Sequence, residues 1–337
     1  MEHYSKYLEC GKIHKRVMDT LISYIKPGMK TVDICNYGNN LILENTRNIF
    51  KNSLKGINLP VCISLNNCVG YYYHTDDPKF NTIKVGDIVK IEFGIYIDEC
   101  IVGGGDTIKI TECETGERES SERLGEGTNS DKYIELLGEL ESLVVSNILP
   151  NTELVESAFY EENIMTNDDI RIIVESKCTE LNCFPIQNCK SYQQPHTSDS
   201  KTMFLNYRKI YDSNDCLINE DNMCFDFDKG DVYYINLTII PGESQKLYTK
   251  DQCNIIKINK DFNCNLRIRS SRKIYDELYR SGGEYFYSDT YLNRLGISDC
   301  LRKDFIEKEP IYYSTSEPVY HKKFTVFVTE KRCKKMN

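Results

Sequence analysis

Apolar side chains near the start of the chain recur at the spacing of a helix that faces a core. They are Leu8, Ile13, Val17, Leu21, Ile22 and Ile25. Residues three or four apart share one face of a helix, so the pattern predicts a helix over residues 4–25, which Pro27 and Gly28 end. Residues 31–51 show the same period and predict a second helix.

Later segments alternate between predicted strands and predicted helices. The clearest strands are residues 87–97 (DIVKIEFGIYI) and 231–240 (DVYYINLTII). Shorter strands are predicted at residues 60–65, 69–74, 107–110 and 323–329, and helices at residues 131–147, 168–181 and parts of 272–309. Together these elements predict a mixed α/β fold.

The two clearest strands share a local pattern. Residues 86–93 (GDIVKIEF) and residues 230–237 (GDVYYINL) both begin with Gly-Asp and continue as a strand, and Glu92 and Asn236 occupy equivalent positions. Similar strands about half a chain apart indicate two related halves. Because Gly-Asp is common before strands, the pattern alone leaves open that the match is accidental.

Composition restricts the function classes. With 337 residues, 40% of them hydrophobic, the chain is long enough for a sizeable core. A mean hydropathy of −0.48 without a long apolar run argues against a membrane span, and the polar start of the chain predicts no signal peptide. The 15 cysteines are odd in number and lack a CxxC pair. They are therefore expected as reduced thiols in a cytosolic or nuclear protein.

The net charge of −9 argues against a general nucleic-acid binder, so any RNA contact must come from local basic patches. We define the arginine cluster as Arg267, Arg269, Arg272 and Lys273, and the C-terminal patch as Lys322, Lys331, Arg332, Lys334 and Lys335. Alternation with Leu266 and Ile268 predicts that Arg267 and Arg269 lie on the exposed face of a strand. A solvated basic edge, and a disordered basic tail for the C-terminal patch, are the alternatives.

Several segments resemble one known family in the same order along nearly the whole chain. They are residues 44–51, 59–69 (LPVCISLNNCV), 84–94 (KVGDIVKIEFG), 266–272 and 323–326 (KFTV). The chain resembles the methionine-aminopeptidase superfamily, and in particular its type-two, proliferation-associated and ErbB-receptor-binding branch. The resemblance implies the pita-bread fold, an α/β (α+β) architecture with pseudo-twofold halves and a helical insertion. The expected boundaries are 1–264 with 316–330 for that fold, 265–315 for the insertion, and 331–337 for a short basic tail.

Active members of that family hold two divalent metals with two aspartates, one histidine and two glutamates. The resemblance places these ligand positions on Glu92, Gly103, Tyr192, Asn236 and Lys323. One carboxylate in five positions, with a lysine among them, opposes a dinuclear centre. We therefore expect no metal, no cofactor and no catalytic residue, and we expect Lys323 to pair with Glu92.

Nearby residues offer substitutes for the lost ligands. Asp106 is three positions from Gly103, an odd number, so it should face the other side of a strand. His196 is the histidine nearest to Tyr192. The position of the catalytic histidine falls near Tyr71, and His74 is expected to be a loop histidine.

The resemblance implies a non-catalytic, ribosome-associated factor. Such a protein would bind the large subunit near the polypeptide exit tunnel through ribosomal RNA and tunnel-exit proteins. It is expected to be a monomer in the cytoplasm, with the nucleus or nucleolus as a second location, and without membrane contact. The alternatives are an active metallo-aminopeptidase that removes N-terminal methionine, and a nuclear export or transcriptional adaptor.

Overall fold

The computed structural model of the protein describes residues 2–72, 82–112, 129–150, 165–186, 189–194, 202–204, 224–242, 247–250, 255–259, 265–281, 284–287, 294–315 and 317–337. The helices in these ranges are α1 (Glu2–Tyr24), α2 (Thr31–Thr46), α3 (Asn129–Asn147), α4 (Asn167–Glu180), α5 (Arg269–Ser281) and α6 (Arg294–Arg302). None of these helices is long and apolar enough to cross a membrane.

The strands follow the same numbering along the chain. They are β1 (Lys55–Leu65), β2 (Ile88–Ile97), β3 (Cys100–Lys109), β4 (Cys183–Pro185), β5 (Lys190–Gln194), β6 (Thr202–Phe204), β7 (Val232–Pro241), β8 (Leu247–Lys250), β9 (Ile255–Ile258), β10 (Tyr285–Tyr287), β11 (Ile306–Lys308), β12 (Ile311–Ser314), β13 (Tyr320–Val328) and β14 (Cys333–Lys335).

A large antiparallel sheet organises the fold. Its strand order is β1-β2-β3-β13-β7-β5-β6, with β14 also paired to β13 and β4 to β7. Helices α1 and α2 pack on the β1–β3 half around one apolar core. Helices α3 and α4 pack on the β7–β13 half around a second core. The mixed α/β prediction and the two-halves prediction are therefore confirmed.

The repeated Gly-Asp pattern makes the same turn in both halves. Gly86 and Gly230 have φ of 90° and 94°, in the left-handed region that favours glycine. Gly86 N–H donates to the Ile110 carbonyl, and Gly230 N–H donates to the Val328 carbonyl. Each turn therefore ties the start of its own strand to the end of the neighbouring strand. The sequence match reflects a repeated supersecondary unit.

A smaller unit carries α5 and α6. Strands β10, β9 and β11 form a separate three-stranded sheet, and a third apolar core includes Leu278, Cys300 and Phe305. Because β9 is the central strand of this sheet, the unit begins upstream of residue 265. The segment expected as a tail, residues 331–337, turns back as β14 and leaves Met336 only 7% exposed.

Three predicted elements differ from the observed ones. Helix α2 ends at Thr46, since turns follow and Phe50 has a left-handed φ of 39°. Residues 69–72 are not a strand, because Tyr71 has a φ of 56° that breaks an extended run. Strand β3 starts at Cys100, well before residue 107, because its three consecutive glycines are accommodated inside the sheet.

His14 gives the fold a testable dependence on pH. It is 2% exposed and stacks on Phe93 with ring centroids 4.2 Å apart. Burial lowers the pKa of His14 from 6.5 to about 3. Below pH 6.5 the His14 imidazole therefore binds a proton in the unfolded chain, whereas in the folded chain it binds one only near pH 3. The free energy of unfolding falls as the pH is lowered across that window.

We predict that His14→Gln removes this acid sensitivity. From pH 8 to pH 5 the wild type should lose about 2 kcal/mol more unfolding free energy than the variant, at about 1.36 kcal/mol per pH unit below pH 6.5. Urea titrations across that range measure the difference. Parallel pH profiles for the two proteins would contradict the assignment.

Candidate functional site

A row of residues crosses the sheet where its halves meet. Glu92 on β2 lies opposite Gly105 on β3, and Gly105 lies opposite Lys323 on β13. Lys323 in turn lies opposite Asn236 on β7. Residues in register on neighbouring strands place their side chains on the same face. The sheet thus brings three of the five predicted ligand positions together.

Glu92 and Lys323 form a buried ion pair between the halves. The Lys323 ammonium bonds to Glu92 Oε2, and the two side chains are 2% and 0% exposed for lysine and glutamate respectively. The other carboxylate oxygen, Oε1, accepts a hydrogen bond from the Tyr71 backbone N–H. The Tyr71 ring centroid lies 5.1 Å from the ammonium, within the range of a cation–π contact. The predicted pairing is confirmed.

The surrounding backbone leaves room for this pair. A Cβ atom on Gly70 would lie 2.8 Å from Glu92 Oε1 and 3.4 Å from Lys323 Nζ. Any side chain at this position would therefore push against the carboxylate. Gly70 and the left-handed Tyr71 together shape a turn that closes over the ion pair.

The remaining ligand positions are occupied by neutral groups. A Cβ atom on Gly103 would lie 2.9 Å from Tyr234 Cε2, so the Tyr234 ring takes the space of an aspartate side chain. Tyr192 packs against Tyr234 with ring centroids 5.3 Å apart. Asn236 Oδ1 accepts a hydrogen bond from Thr238 Oγ1 at 2.6 Å. Burial raises the pKa of Tyr192 and Tyr234 well above its ordinary value, which keeps both phenols protonated.

Asp106 faces away from this row, as its odd spacing predicts. Its carboxylate pairs with Lys322 at 2.6 Å, and Lys322 also lies 3.5 Å from Glu141 on α3. Asp106 therefore belongs to the helix-covered side of the sheet. His74 and His196 lie outside the described residues.

Sequence reasoning missed two groups at this site. Tyr285, from the small unit, stacks on Tyr71 with ring centroids 6.1 Å apart, so β10 helps to cover the row. Lys90 is 0% exposed and donates to the Asn66 carbonyl at 2.7 Å. Burial lowers the pKa of Lys90 to about 7. Its position two residues before Glu92 on the same strand was the available signal, whereas the contact of Tyr285 depends on tertiary packing.

Comparisons with known proteins agree with this architecture. The sequence profile of metallopeptidase family M24 matches residues 5–117. ErbB-3 binding protein 1 of Arabidopsis thaliana is 25% identical over 335 residues, covering 96% of this chain and 77% of the relative. Proliferation-associated protein A of Dictyostelium discoideum is 24% identical, covering 92% and 75%. The first third of the chain is thus similar to metallopeptidase family M24, and relatives named for ErbB-3 binding and proliferation are similar along nearly all of it.

A solved structure supports the fold assignment. A thermophilic Arx1 superposes with a TM-score of 0.76 at 19% identity, covering 100% of this chain and 91% of the other. The pita-bread fold with pseudo-twofold halves is therefore the fold of this chain. The names of the two relatives above fit the ErbB-3-binding and proliferation-associated branch.

The residues present do not fit the dinuclear metal centre of M24 enzymes. Hard divalent cations need several anionic oxygen ligands. Here the Glu92 carboxylate is neutralised by an ammonium, Tyr234 fills the space beside Gly103, and Asn236 offers a neutral amide. Across the described part of the chain, no three His, Cys, Asp or Glu side chains form a group that could hold a metal.

The arginine cluster lies on the small unit at the start of α5. Arg267, Arg269, Arg272 and Lys273 are all exposed, which confirms the predicted exposure of Arg267 and Arg269. The local structure differs from the prediction, because Arg269 begins a helix and residues 265–268 are not a strand. Alternation over four residues could not distinguish a short strand from the approach to a helix. Lys273 lies 3.6 Å from Glu277.

The C-terminal patch divides into two groups. Lys322 and Lys335 both pair with Glu141, so local carboxylates neutralise them. Lys331 and Arg332 are exposed in the turn between β13 and β14. Lys334 lies 5.7 Å from the Tyr4 ring centroid. The segment is therefore an ordered hairpin, in place of the alternative of a disordered tail.

We predict that the ion pair makes the site sensitive to how Lys323 is replaced. Lys323→Ala leaves Glu92 charged and buried without a partner, and should cost roughly 3–5 kcal/mol of unfolding free energy. Lys323→Met also leaves the carboxylate unpaired but fills the space, so it should destabilise less. Urea denaturation measures both. Equal stability of the alanine variant and the wild type would contradict the buried pair.

Proposed function

We propose that this protein is a non-catalytic factor that binds the large ribosomal subunit near the polypeptide exit tunnel. The arginine cluster would contact ribosomal RNA, and neighbouring surface would contact tunnel-exit proteins. The protein would act as a monomer in the cytoplasm, with the nucleus or nucleolus as a second location. The observation that carries the proposal is the buried ion pair of Glu92 and Lys323, at two of the positions where the family resemblance predicts metal ligands.

The converted site supports a binding role in place of a catalytic one. A hydrolytic metal centre must generate a nucleophile or polarise a carbonyl. Lys323 brings a positive charge to the position that such cations would occupy, and Tyr71 with Tyr285 packs over it. A function that this chain retains must then rest on its surface.

The charge distribution supports a local contact with a polyanion. The first turn of α5 is Arg-Ser-Ser-Arg, whereas helix starts ordinarily favour acidic side chains because the N-terminal dipole is positive. Arginines at this end destabilise the helix slightly in isolation but suit an external phosphate, which the guanidinium binds through two donors. An overall charge of −9 disfavours contact with nucleic acid away from such local basic patches.

The aminopeptidase alternative predicts bound metal. We expect protein purified in the presence of cobalt, manganese or zinc to carry far fewer than two equivalents, because the donor set does not fit them. Elemental analysis measures the metal content. The alternative would be established by about two equivalents of bound metal, if a chelator removes both the metal and a peptide-cleaving activity.

We predict that replacing Arg267, Arg269 and Arg272 with alanine weakens association with large subunits by more than tenfold. These side chains are exposed, so the core should remain intact. Each lost phosphate contact should also flatten the dependence of log affinity on log salt by roughly one. Cosedimentation across a salt titration measures both quantities.

A matched control removes the same charge elsewhere. Lys12, Lys15 and Arg16 are exposed on α1, and their replacement by alanine changes the net charge equally. If the control weakens association as much as the arginine variant, the effect is general electrostatics. Unchanged cosedimentation of the arginine variant would place the docking face elsewhere. An adaptor role in nuclear export or transcription would leave association with mature subunits insensitive to all three arginines.

A further inference from the structure

Side-chain hydroxyls join β3 and β13 along the seam between them, where an ordinary strand pair would have backbone hydrogen bonds. Within the described residues these strands share one register pair, Gly105 with Lys323. On either side of it, threonine hydroxyls bridge the strands. Thr107 Oγ1 bonds to the backbone N–H and carbonyl of His321, and Thr325 Oγ1 bonds in the same way to Gly103. The backbones therefore diverge from this pair, and the N–H and carbonyl of Thr325 are left for another segment.

Residues 333–337 fill that opening. Met336 N–H donates to the Thr325 carbonyl at 2.8 Å, which extends the β13–β14 pairing by one step. Asn337 Oδ1 accepts from the Thr325 N–H at 2.9 Å. Met336 belongs to the apolar core of the first half, although β13 belongs to the second. The segment thus contacts both halves of the molecule.

Two glycines shape the walls around this segment. A Cβ atom on Gly11 of α1 would lie 1.9 Å from the Met336 carbonyl oxygen. A Cβ atom on Gly104 of β3 would lie 2.0 Å from Asn337 Nδ2. Real Cβ atoms do not approach so closely, so only glycine at these two positions leaves room for the Met336 backbone and the Asn337 side chain. We call the space that holds residues 333–337 the groove.

The end of the groove matches a carboxamide. While Oδ1 of Asn337 accepts from Thr325, its Nδ2 donates to the Gly103 carbonyl at 3.3 Å and lies 3.2 Å from His14 Nδ1. Because Nδ2 is a donor, His14 Nδ1 must accept, and the ring carries its proton on Nε2. A carboxylate could not donate to the Gly103 carbonyl, and it could pair with His14 only if the ring proton moved from Nε2 to Nδ1. An aliphatic side chain would leave the Thr325 N–H and His14 Nδ1 without the bonds that Asn337 makes, while the Gly103 carbonyl would keep the Thr325 hydroxyl.

We propose that the seam is a binding site for an extended peptide, that residues 333–337 occupy it in cis, and that it selects a carboxamide side chain at the position of Asn337. Backbone pairing with β13 supplies general affinity for an extended chain. The pocket for Met336 and the carboxamide contacts supply specificity. A partner segment with methionine followed by asparagine is the kind of ligand the groove fits.

The resident segment competes with any ligand in trans. A segment held by a short connection has an effective concentration on the order of millimolar, so the intact chain should hide the site. The turn before β14 contains Lys331 and Arg332, both exposed, and a specific protease site inserted there can be cut after folding. Cutting leaves residues 333–337 bound by noncovalent contacts, free to exchange.

The test measures exchange of a labelled peptide into the cut protein. A fluorescent peptide with the sequence of residues 333–337 is titrated against it, and anisotropy reports binding. We expect saturable binding, at least tenfold weaker for a peptide ending in aspartate. The uncut protein with the same insertion is the matched control and should bind at least tenfold less of the labelled peptide.

A second variant covers the case in which the cut protein loses its fold. In the full chain, Asn337→Asp weakens the resident segment without breaking the chain, and the asparagine peptide should bind this variant at least tenfold more tightly than the wild type. Equal affinity for the asparagine and aspartate peptides, or absence of saturable binding to both proteins, would overturn the proposal.

Discussion

The Glu92–Lys323 ion pair is the interaction on which the centre of this molecule depends. It joins a strand of one half to a strand of the other, at the register pair where the two halves meet. The family resemblance predicts that metalloenzyme relatives hold metal-binding side chains at these two positions, where cations would link the halves. Here an ammonium on the chain itself provides the positive charge. The ion pair thus provides a linkage across the seam.

Burial makes the ion pair costly in free energy unless its geometry is favourable. Taking two charges out of water costs several kcal/mol for each, and the attraction between them offsets this only when both are well placed. The backbone N–H of Tyr71, the ring of Tyr71 and the absence of a side chain at Gly70 supply that placement. The threonine bridges and the carboxamide of Asn337 hold the two strands beside the pair. The segment at the seam and the Glu92–Lys323 ion pair are therefore parts of one assembly.

Local sequence predicts the parts of this assembly that follow periodicity. Strands β2 and β7, their Gly-Asp turns, and the alternation that sends Lys323 and Lys322 to opposite faces all follow from adjacent residues. Features set by tertiary contact do not. Tyr285 reaches the site from a separate unit, Tyr71 is left-handed because the turn closes over the ion pair, and β14 pairs because β13 presents an open edge. The glycine run in β3 resembles a strand break in the sequence. In the structure Tyr234 packs against Gly103 and His14 packs against Gly104, so glycine at these positions leaves room for the two rings.

A double-mutant cycle on Glu92 and Lys323 tests the central claim most directly. Each single replacement by methionine leaves one buried charge without its partner. The double replacement removes both charges and fills the space with apolar atoms. The account predicts that the double variant is more stable than either single variant, with a coupling of about 1–3 kcal/mol in urea denaturation. Additive losses, with the double variant the least stable of the three, would show that these residues do not join the two halves as a pair.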